Sequence, residues 1–325
     1  MRAFRFGVQS FSAQTPKEWR DRARQAEALG YSALHLADHY IGPGPALTAT
    51  GHPVQGIAAV PAMAVAAEAT STLRIGCRVF CIDYRPLAVL AKEAATLDFF
   101  SEGRLELGLG AGWLEGEYDA IGLTMDPASQ RISRLAESVA AIKALFSGEE
   151  VDIDGDHVHL HGFTQVPAAV QRPHPPIMIG GGSKRVLTLA GQQGDIVSFN
   201  FNNASGKIGA AGILSGTAAR TADKVGWVRD AAADVGRALT DIELEIGAYF
   251  TFVTNAAQQT AEGFGKMFGL GAEDMLQHPH ALFGTTAEIA DELVRRRDLY
   301  GISYITINDT AMEAFAPVVE QLVGT

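Results

Sequence analysis

Cysteine is scarce in this sequence of 325 residues, which contains only Cys77 and Cys81 in one short segment. Two cysteines so close together do not provide a disulfide framework, so we expect both thiols to be reduced. No apolar run approaches the roughly 20 residues needed to span a bilayer. The first residues also lack the apolar core of a signal peptide. These absences predict a cytoplasmic protein that does not bind membranes.

Clusters of lysine and arginine are also missing. The chain has 26 basic and 37 acidic residues, for a formal net charge of −11. An acidic protein without a basic patch is a poor partner for nucleic acid. Because the overall field repels anions, an anionic ligand needs a local binding site. The 47% of hydrophobic residues is enough for a large core.

What the sequence does contain is an alternation of strand-like and helix-like segments. The predicted strands cover 4–9, 32–39, 73–80, 103–110, 175–180, 195–201, 242–254 and 302–308. The predicted helices cover 16–30, 58–70, 86–101, 133–148, 183–194, 217–236, 287–301 and 314–324. About eight strand–helix pairs predict an α/β fold, a (β/α)8 TIM barrel with insertions that forms a single domain over residues 1–325. An open, doubly wound sheet is the alternative, because closure cannot be read from the repeat.

Several stretches depart from this repeat. Residues 151–163 alternate in polarity around an Asp-Gly pair and predict a hairpin. Three histidines lie there, but no fourth ligand is apparent, so we predict no metal site. Residues 202–216 are rich in glycine and serine, which is typical of a mobile loop or lid. Residues 255–285 have no assignment and are expected over a barrel mouth or at an interface. The loop 40–56 has few charges, which favours an uncharged, fairly apolar substrate.

Three glycines alternate after the fourth predicted strand, at Gly108, Gly110 and Gly112. A dinucleotide fingerprint has the spacing G-x-G-x-x-G after the first strand. Here Trp113 occupies the position of the third glycine, and the strand is not the first. We interpret these glycines as backbone exposed to a flat ligand at the carboxyl end of a barrel strand. Close packing at the strand end is the alternative.

A better candidate for a phosphate site is the segment IMIGGGSKR, residues 177–185. Here a strand runs into three glycines, and Ser183, Lys184 and Arg185 then open a helix. The free N–H groups and the positive end of a helix can hold an anion. In the alternative interpretation this is an ordinary turn, in which Ser183 only caps the helix. On the first interpretation, Gly182→Asp weakens anion binding at little cost in stability.

Asp38 and His39 end the second predicted strand, where TIM barrels carry catalytic or cofactor contacts. A histidine at this position can exchange a proton near neutral pH, and the aspartate can orient it or a ligand. A capping aspartate beside a surface histidine is the alternative.

Together these segments resemble the luciferase-like monooxygenase superfamily, and within it the branch of coenzyme F420-dependent oxidoreductases. The resemblance covers most of residues 4–200 and is most specific over 73–122. It implies a (β/α)8 barrel that binds a flavin or the 5-deazaflavin F420 at the carboxyl ends of its strands. It also implies that Asp38 and His39 face the cofactor or substrate, with His39 as the catalytic acid or base.

The resemblance implies further cofactor contacts along this barrel face. They are Gly110, Ala111, Gly112 and Trp113 along the ring system, Arg78, Val79, Phe80 and Cys81 at the end of the third strand, and Gly181, Gly182, Ser183 and Arg185 at the phosphate. Members that use the deazaflavin often have a cis peptide bond at the end of the third strand, which here falls around 78–80.

One residue departs from the pattern of the branch. Where its glucose-6-phosphate dehydrogenases carry a glutamate that acts as a base, this chain has Trp113, which disfavours a sugar phosphate as substrate. We therefore predict an F420-dependent oxidoreductase that transfers a hydride between the deazaflavin C5 and a small organic substrate, and that forms a homodimer. The alternatives are an FMN-dependent luciferase-like monooxygenase, a barrel isomerase or hydrolase, and a catalytically silent flavin-binding barrel.

Overall fold

Eight parallel strands close into a barrel in the computed structural model, which describes residues 2–325. The strands of the chain are β1 (Arg5–Ser10), β2 (Ala33–Leu36), β3 (Arg74–Cys81), β4 (Leu105–Gly110), β5 (Glu150–Asp154), β6 (His159–Thr164), β7 (Ile177–Gly181), β8 (Ile196–Phe199), β9 (Glu243–Ala248), β10 (Phe250–Val253), β11 (Ala281–Gly284) and β12 (Tyr304–Asn308). The barrel order is β1, β2, β3, β4, β7, β8, β9 and β12, and β12 pairs with β1. This closure confirms the (β/α)8 prediction and excludes an open sheet.

The helices surround the barrel. They are α1 (Pro16–Ala28), α2 (Pro45–Thr50), α3 (Ala59–Ala69), α4 (Leu87–Phe100), α5 (Glu115–Ala120), α6 (Ala128–Leu145), α7 (Lys184–Gln193), α8 (Ala210–Leu214), α9 (Ala218–Asp234), α10 (Ala257–Phe268), α11 (Ala272–Leu276), α12 (Thr286–Tyr300) and α13 (Met312–Leu322). Local sequence explains several of their ends. Thr285 and Glu288 form a reciprocal capping box at the start of α12, and Gly301 ends that helix at a positive φ of 76°. Among residues 2–325, no helix has both the length and the apolar character needed to cross a membrane.

A buried cluster of charged groups closes the amino-terminal end of the barrel. The guanidinium of Arg5 on β1 donates to Glu106 on β4 at 2.5 Å and to Glu243 on β9 at 2.5 Å. The hydroxyl of Tyr304 on β12 also donates to Glu106, at 3.0 Å. Burial alone favours the protonated acid, but Arg5 and other neighbouring cations hold the pKa of Glu106 below its ordinary value. The cluster joins strands from opposite sides of the barrel, and the other end is left for a ligand.

The predicted strand 242–254 is wrong, because the chain forms two strands there. β9 ends at Ala248 within the barrel, whereas β10 leaves the barrel and pairs in parallel with β11. Helices α10 and α11 pack on this small sheet through an aromatic cluster that includes Phe250, Phe264 and Phe268. The unassigned region 255–285 therefore has a core of its own.

Other loop predictions are confirmed or corrected in detail. Residues 151–163 form the predicted hairpin, with β5 antiparallel to β6. The loops 40–56 and 202–216 each contain a short helix, α2 and α8 respectively. The composition of these loops did not predict either helix. Helix α6 begins five residues earlier than the predicted start at 133, directly after Pro127. Both cysteines are free and buried, as predicted.

We predict that Glu106→Gln lowers the free energy of unfolding by about 1–3 kcal/mol, because it removes one of the two carboxylate partners of the partly buried Arg5 guanidinium. The measurement is urea unfolding at neutral pH. Asp21→Asn is a matched control, because Asp21 is an exposed partner of Lys17 on α1. This control should leave the unfolding midpoint unchanged. An equally small effect of both substitutions would contradict a structural role for the cluster.

Candidate active site

A cavity of about 520 Å³ opens at the carboxyl ends of the barrel strands. Every barrel strand, or the residues just after it, contributes to its wall. In barrel order these residues include Gln9, Asp38, His39, Arg78, Val79, Cys81, Gly110, Ala111, Gly112, Trp113, Gly180, Gly181, Gly182, Ser183, Asn200, Phe201, Tyr249 and Asn308. The cavity lies where (β/α)8 enzymes carry their active sites.

All the site residues implied by the resemblance line this cavity except Phe80 and Arg185. The Phe80 side chain is fully buried, with the guanidinium of Arg85 5.1 Å from its ring centroid. Phe80 packs in the main hydrophobic core, whereas its neighbours Arg78 and Val79 both reach the cavity. The Arg185 side chain is exposed and donates to the hydroxyl of Ser133 at 2.9 Å.

The alternating glycines make room for Val79. A Cβ atom on Gly110 would lie 2.6 Å from one γ-methyl of Val79, and Cβ atoms on Gly108 and Gly180 would each lie 3.0 Å from the other. The peptide bond between Arg78 and Val79 is cis, at the position predicted from the resemblance. Close packing, the alternative interpretation of the glycines, is therefore correct for Gly108 and Gly110. Gly110 also lines the cavity, so the packed glycines and Val79 form part of its wall.

His39 is held by a carboxylate that sequence reasoning missed. Its Nδ1 lies 2.6 Å from Oε2 of Glu117, a fully buried residue on α5. The same carboxylate accepts hydrogen bonds from the backbone N–H of Tyr40 at 2.5 Å and of Ile41 at 3.1 Å, and from the hydroxyl of Tyr84 at 2.7 Å. Burial opposes ionisation, but His39 and these other donors hold the pKa of Glu117 below its ordinary value. An ionised Glu117 accepts a hydrogen bond from the imidazole of His39 and so orients the ring.

Asp38 does not orient His39, which corrects one of the two roles predicted for it. Its carboxylate instead accepts from the backbone N–H of Cys81 at 3.0 Å and from the guanidinium of Arg85 at 2.7 Å. Burial raises the pKa of Asp38, although Arg85 opposes the shift. Asp38 therefore joins the end of β2 to the end of β3, and the carboxylate that contacts His39 comes from the connection after β4.

Arg78 lies at the floor of the cavity in a buried ion pair. Its Nε is 2.9 Å from Oε1 of Glu245, and its Nη1 donates to the side chains of Gln9 at 3.1 Å and Tyr249 at 3.0 Å. Burial favours the neutral form, but Glu245 and Tyr249 raise the pKa of Arg78 above its ordinary value. The guanidinium therefore stays charged and is neutralised by Glu245, so the floor carries little net charge.

At the predicted phosphate site, Ser183 caps α7 by accepting from the N–H of Val186 at 3.5 Å. The structure shows this cap, which both interpretations of the segment allow. A Cβ atom on Gly182 would lie 2.3 Å from the carbonyl oxygen of Phe201. The expectation that Gly182→Asp costs little stability is therefore wrong. Gly181, Gly182 and Ser183 nevertheless line the cavity at the positive end of the helix.

The family model for luciferase-like monooxygenases matches residues 2–299. The chain belongs to the luciferase-like monooxygenase family. The finding confirms the resemblance drawn from residues 73–122.

The relatives of this luciferase-like chain include an FMNH2-dependent enzyme and an F420-dependent enzyme. It is 28% identical over 242 residues to an FMNH2-dependent dimethylsulfone monooxygenase of Pseudomonas putida, covering 70% of this chain and 66% of the relative. It is 33% identical over 184 residues to an F420-dependent glucose-6-phosphate dehydrogenase of Kineococcus radiotolerans, covering 55% of this chain and 51% of the relative. The chain thus matches between about half and two thirds of the length of these curated relatives.

Solved structures confirm the fold over nearly the whole length. An F420-dependent secondary alcohol dehydrogenase in complex with an F420-acetone adduct superposes with a TM-score of 0.77 at 18% identity, covering 99% of both chains. An F420-dependent tetrahydromethanopterin reductase of Methanopyrus kandleri gives a TM-score of 0.76 at 18% identity, covering 99% of this chain and 98% of that chain. At this identity the likeness shows the luciferase-like barrel alone.

The role of Glu117 predicts a pH dependence of stability. Because its pKa is lowered in the folded protein, its stabilising contribution is present above the ordinary value of 4.5 and is lost as pH falls through the lower folded value. We expect Glu117→Gln to be less stable than the wild type at pH 7, with a smaller difference in acid. Urea unfolding of both proteins across the acid range measures this. A difference that does not change with pH would contradict the ionised Glu117.

Proposed function

We propose that this chain is a coenzyme F420-dependent oxidoreductase that transfers a hydride between the deazaflavin C5 and a small organic substrate. The observation that carries the proposal is the His39–Glu117 pair at the wall of the cavity. Hydride transfer to or from a carbonyl or an activated alkene leaves one proton to be placed. A histidine paired with an ionised carboxylate provides one proton site in that position.

The residues around the cavity fit a flat, phosphate-bearing cofactor. Val79 and the segment 110–113 would lie along the ring system, and the backbone N–H groups at Gly182 and Ser183 would face the phosphate. The glycines that pack around Val79 set the position of this part of the wall, because larger side chains would displace it. When bound, the deazaflavin supplies the hydride-transfer chemistry, and the protein supplies orientation and proton exchange.

The proposed proton site is Nε2 of His39. Nδ1 lies against the ionised carboxylate of Glu117 and therefore donates to it, which leaves Nε2 as the nitrogen that gives or accepts a proton. Glu117 keeps its charge throughout, and it stabilises the imidazolium while His39 holds the proton. The buried Glu117 also fixes the direction of the ring, because three further donors hold its carboxylate in place.

The proposed substrate is uncharged and largely apolar. Aromatic side chains form one side of the cavity, and they include Phe201, Tyr249, Phe250 and Phe268. Among the charged side chains that line the described cavity, Arg78 is paired with Glu245 and Asp38 with Arg85. The guanidinium of Arg131 has no carboxylate partner, but it donates to the carbonyl oxygens of Ala111 and Gly112. A sugar phosphate would need cations that are free to bind it, so small ketones, secondary alcohols and enones fit this cavity better.

An FMN-dependent monooxygenase is the second candidate. The similarity to the Pseudomonas putida enzyme, which covers 70% of this chain, favours it. The barrel, the cavity and the anion-binding end of α7 suit either cofactor. The first experiment below therefore compares the two cofactors directly.

We predict that the purified protein quenches the fluorescence of F420 at micromolar concentrations and binds FMN much more weakly. The measurement is a fluorescence titration of each cofactor, followed by a screen of reduced F420 against ketones, enones, imines and nitroaromatics. Oxidised F420 is tested against secondary alcohols. Purification with stoichiometric FMN and no affinity for F420 would overturn the proposal. Tight binding of F420 without turnover of any substrate would favour a silent binding protein.

We further predict that His39→Ala lowers single-turnover hydride transfer by about 10²–10⁴-fold, the range typical of lost general acid–base catalysis. The affinity for F420 should stay nearly unchanged. His159→Ala is the matched control, because His159 is 54% exposed on the hairpin and pairs with Asp154 away from the cavity. A His39→Ala rate and pH profile equal to those of the wild type, between about pH 5 and 9, would remove His39 from the mechanism.

A further inference from the structure

A second histidine, His52, contacts His39 at the cavity wall. It lies in the segment after α2, where Gly51 adopts a positive φ of 68° that turns the chain back toward the barrel. The ring centroids of His52 and His39 are 3.9 Å apart, with the planes inclined by 49°. Both rings also contact Trp113, at centroid distances of 5.9 Å and 6.0 Å respectively. His39 is therefore enclosed by two rings and by the Glu117 carboxylate.

His52 carries a proton on Nδ1, and its surroundings disfavour a second proton on the ring. Its Nδ1 lies 2.8 Å from the carbonyl oxygen of Pro53, which can only accept, so Nδ1 carries a proton. Burial, together with the neighbouring His39, lowers the pKa of His52 to about 4. The nearby Glu117 opposes this shift but already accepts four hydrogen bonds, one of them from His39. His39 and His52 thus both lie near the carboxylate of Glu117, which can neutralise only one positive charge.

We propose that His52 is a positioning residue for His39: its ring packs against the His39 imidazole and keeps the free Nε2 directed at the cavity. Glu117 fixes one atom of the His39 ring, which leaves the ring free to swing about that hydrogen bond. The ring of His52 and, at a greater distance, the ring of Trp113 limit this movement. The proposal rests on the proposed function in one respect, the role of His39 in proton exchange.

The first test needs neither cofactor nor substrate. A hydrogen-bonded imidazole N–H that is shielded from water exchanges slowly and gives a downfield proton NMR resonance. We expect this resonance for Nδ1–H of His39 in the wild type, assigned by its loss in His39→Ala. It should persist in His52→Phe, which keeps an aromatic face, and disappear through rapid exchange in His52→Ala. An unchanged resonance in His52→Ala would overturn the proposal.

The second test measures turnover. His52→Ala should lower kcat by about tenfold through misplacement of His39, with no change in F420 affinity. His52→Phe should restore most of that loss, and the exposed control His159→Ala should have no effect. If the kcat of His52→Phe is as low as that of His52→Ala, and added imidazole restores kcat in both variants, then His52 carries protons and the positioning role is wrong.

The two tests separate failure of this inference from failure of the proposed function. If His39→Ala leaves turnover unchanged, the acid–base role of His39 is lost, but the NMR result still decides whether His52 orders the ring. If His39→Ala is slow and His52→Ala matches the wild type in both measurements, the proposed function stands and the positioning role of His52 does not.

Discussion

The buried carboxylate of Glu117 is the interaction on which the candidate site depends. It accepts hydrogen bonds from His39, Tyr40 and Ile41 after β2 and from Tyr84 after β3, while Glu117 itself lies on α5 after β4. Three connections at the mouth of the barrel therefore converge on two oxygen atoms. A buried charge is tolerated only when it is satisfied in this way. Because an unsatisfied buried carboxylate is costly, these hydrogen bonds hold the three loops in one arrangement. This arrangement places His39 at the cavity wall.

Other charged side chains of the barrel are also neutralised by a neighbouring opposite charge. At its closed end Arg5 lies between Glu106 and Glu243, and at the cavity floor Arg78 faces Glu245. The chain has a net charge of −11, and in the described cavity wall Asp38 and Arg78 are each paired with an opposite charge, whereas Arg131 donates to backbone carbonyls only. An overall acidic field repels an anionic cofactor, so a bound phosphate needs short-range contacts, for which we propose the first turn of α7. The paired floor is suited to a neutral reacting centre.

Membership of the luciferase-like family accounts for the (β/α)8 barrel but does not specify the reaction. The reaction depends on residues that the loops bring to the cavity. An FMNH2-dependent and an F420-dependent relative each match more than half of the chain, and the solved F420-dependent structures share the barrel at 18% identity. Two parts of the cavity mouth lie outside the barrel strands. One is the loop that carries α2 and His52, and another is the aromatic layer built by Phe250 and Phe268. These segments pack against the mouth of the cavity, so they decide what can reach His39.

The strand–helix repeat can be read from the sequence, because most barrel strands and the longer helices follow from a local period and from local caps, whereas closure of the barrel cannot. Resemblance over residues 73–122 also indicated cavity-lining glycines and a cis bond around residues 78–80, which the structure has between Arg78 and Val79. Only the folded chain brings Glu117 to His39, 78 positions earlier, and packs His52 against the same ring. It also split the segment 242–254, because the partner of β10 is β11 and not the barrel. Such contacts have no sequence period, since they depend on where loops meet after the barrel closes.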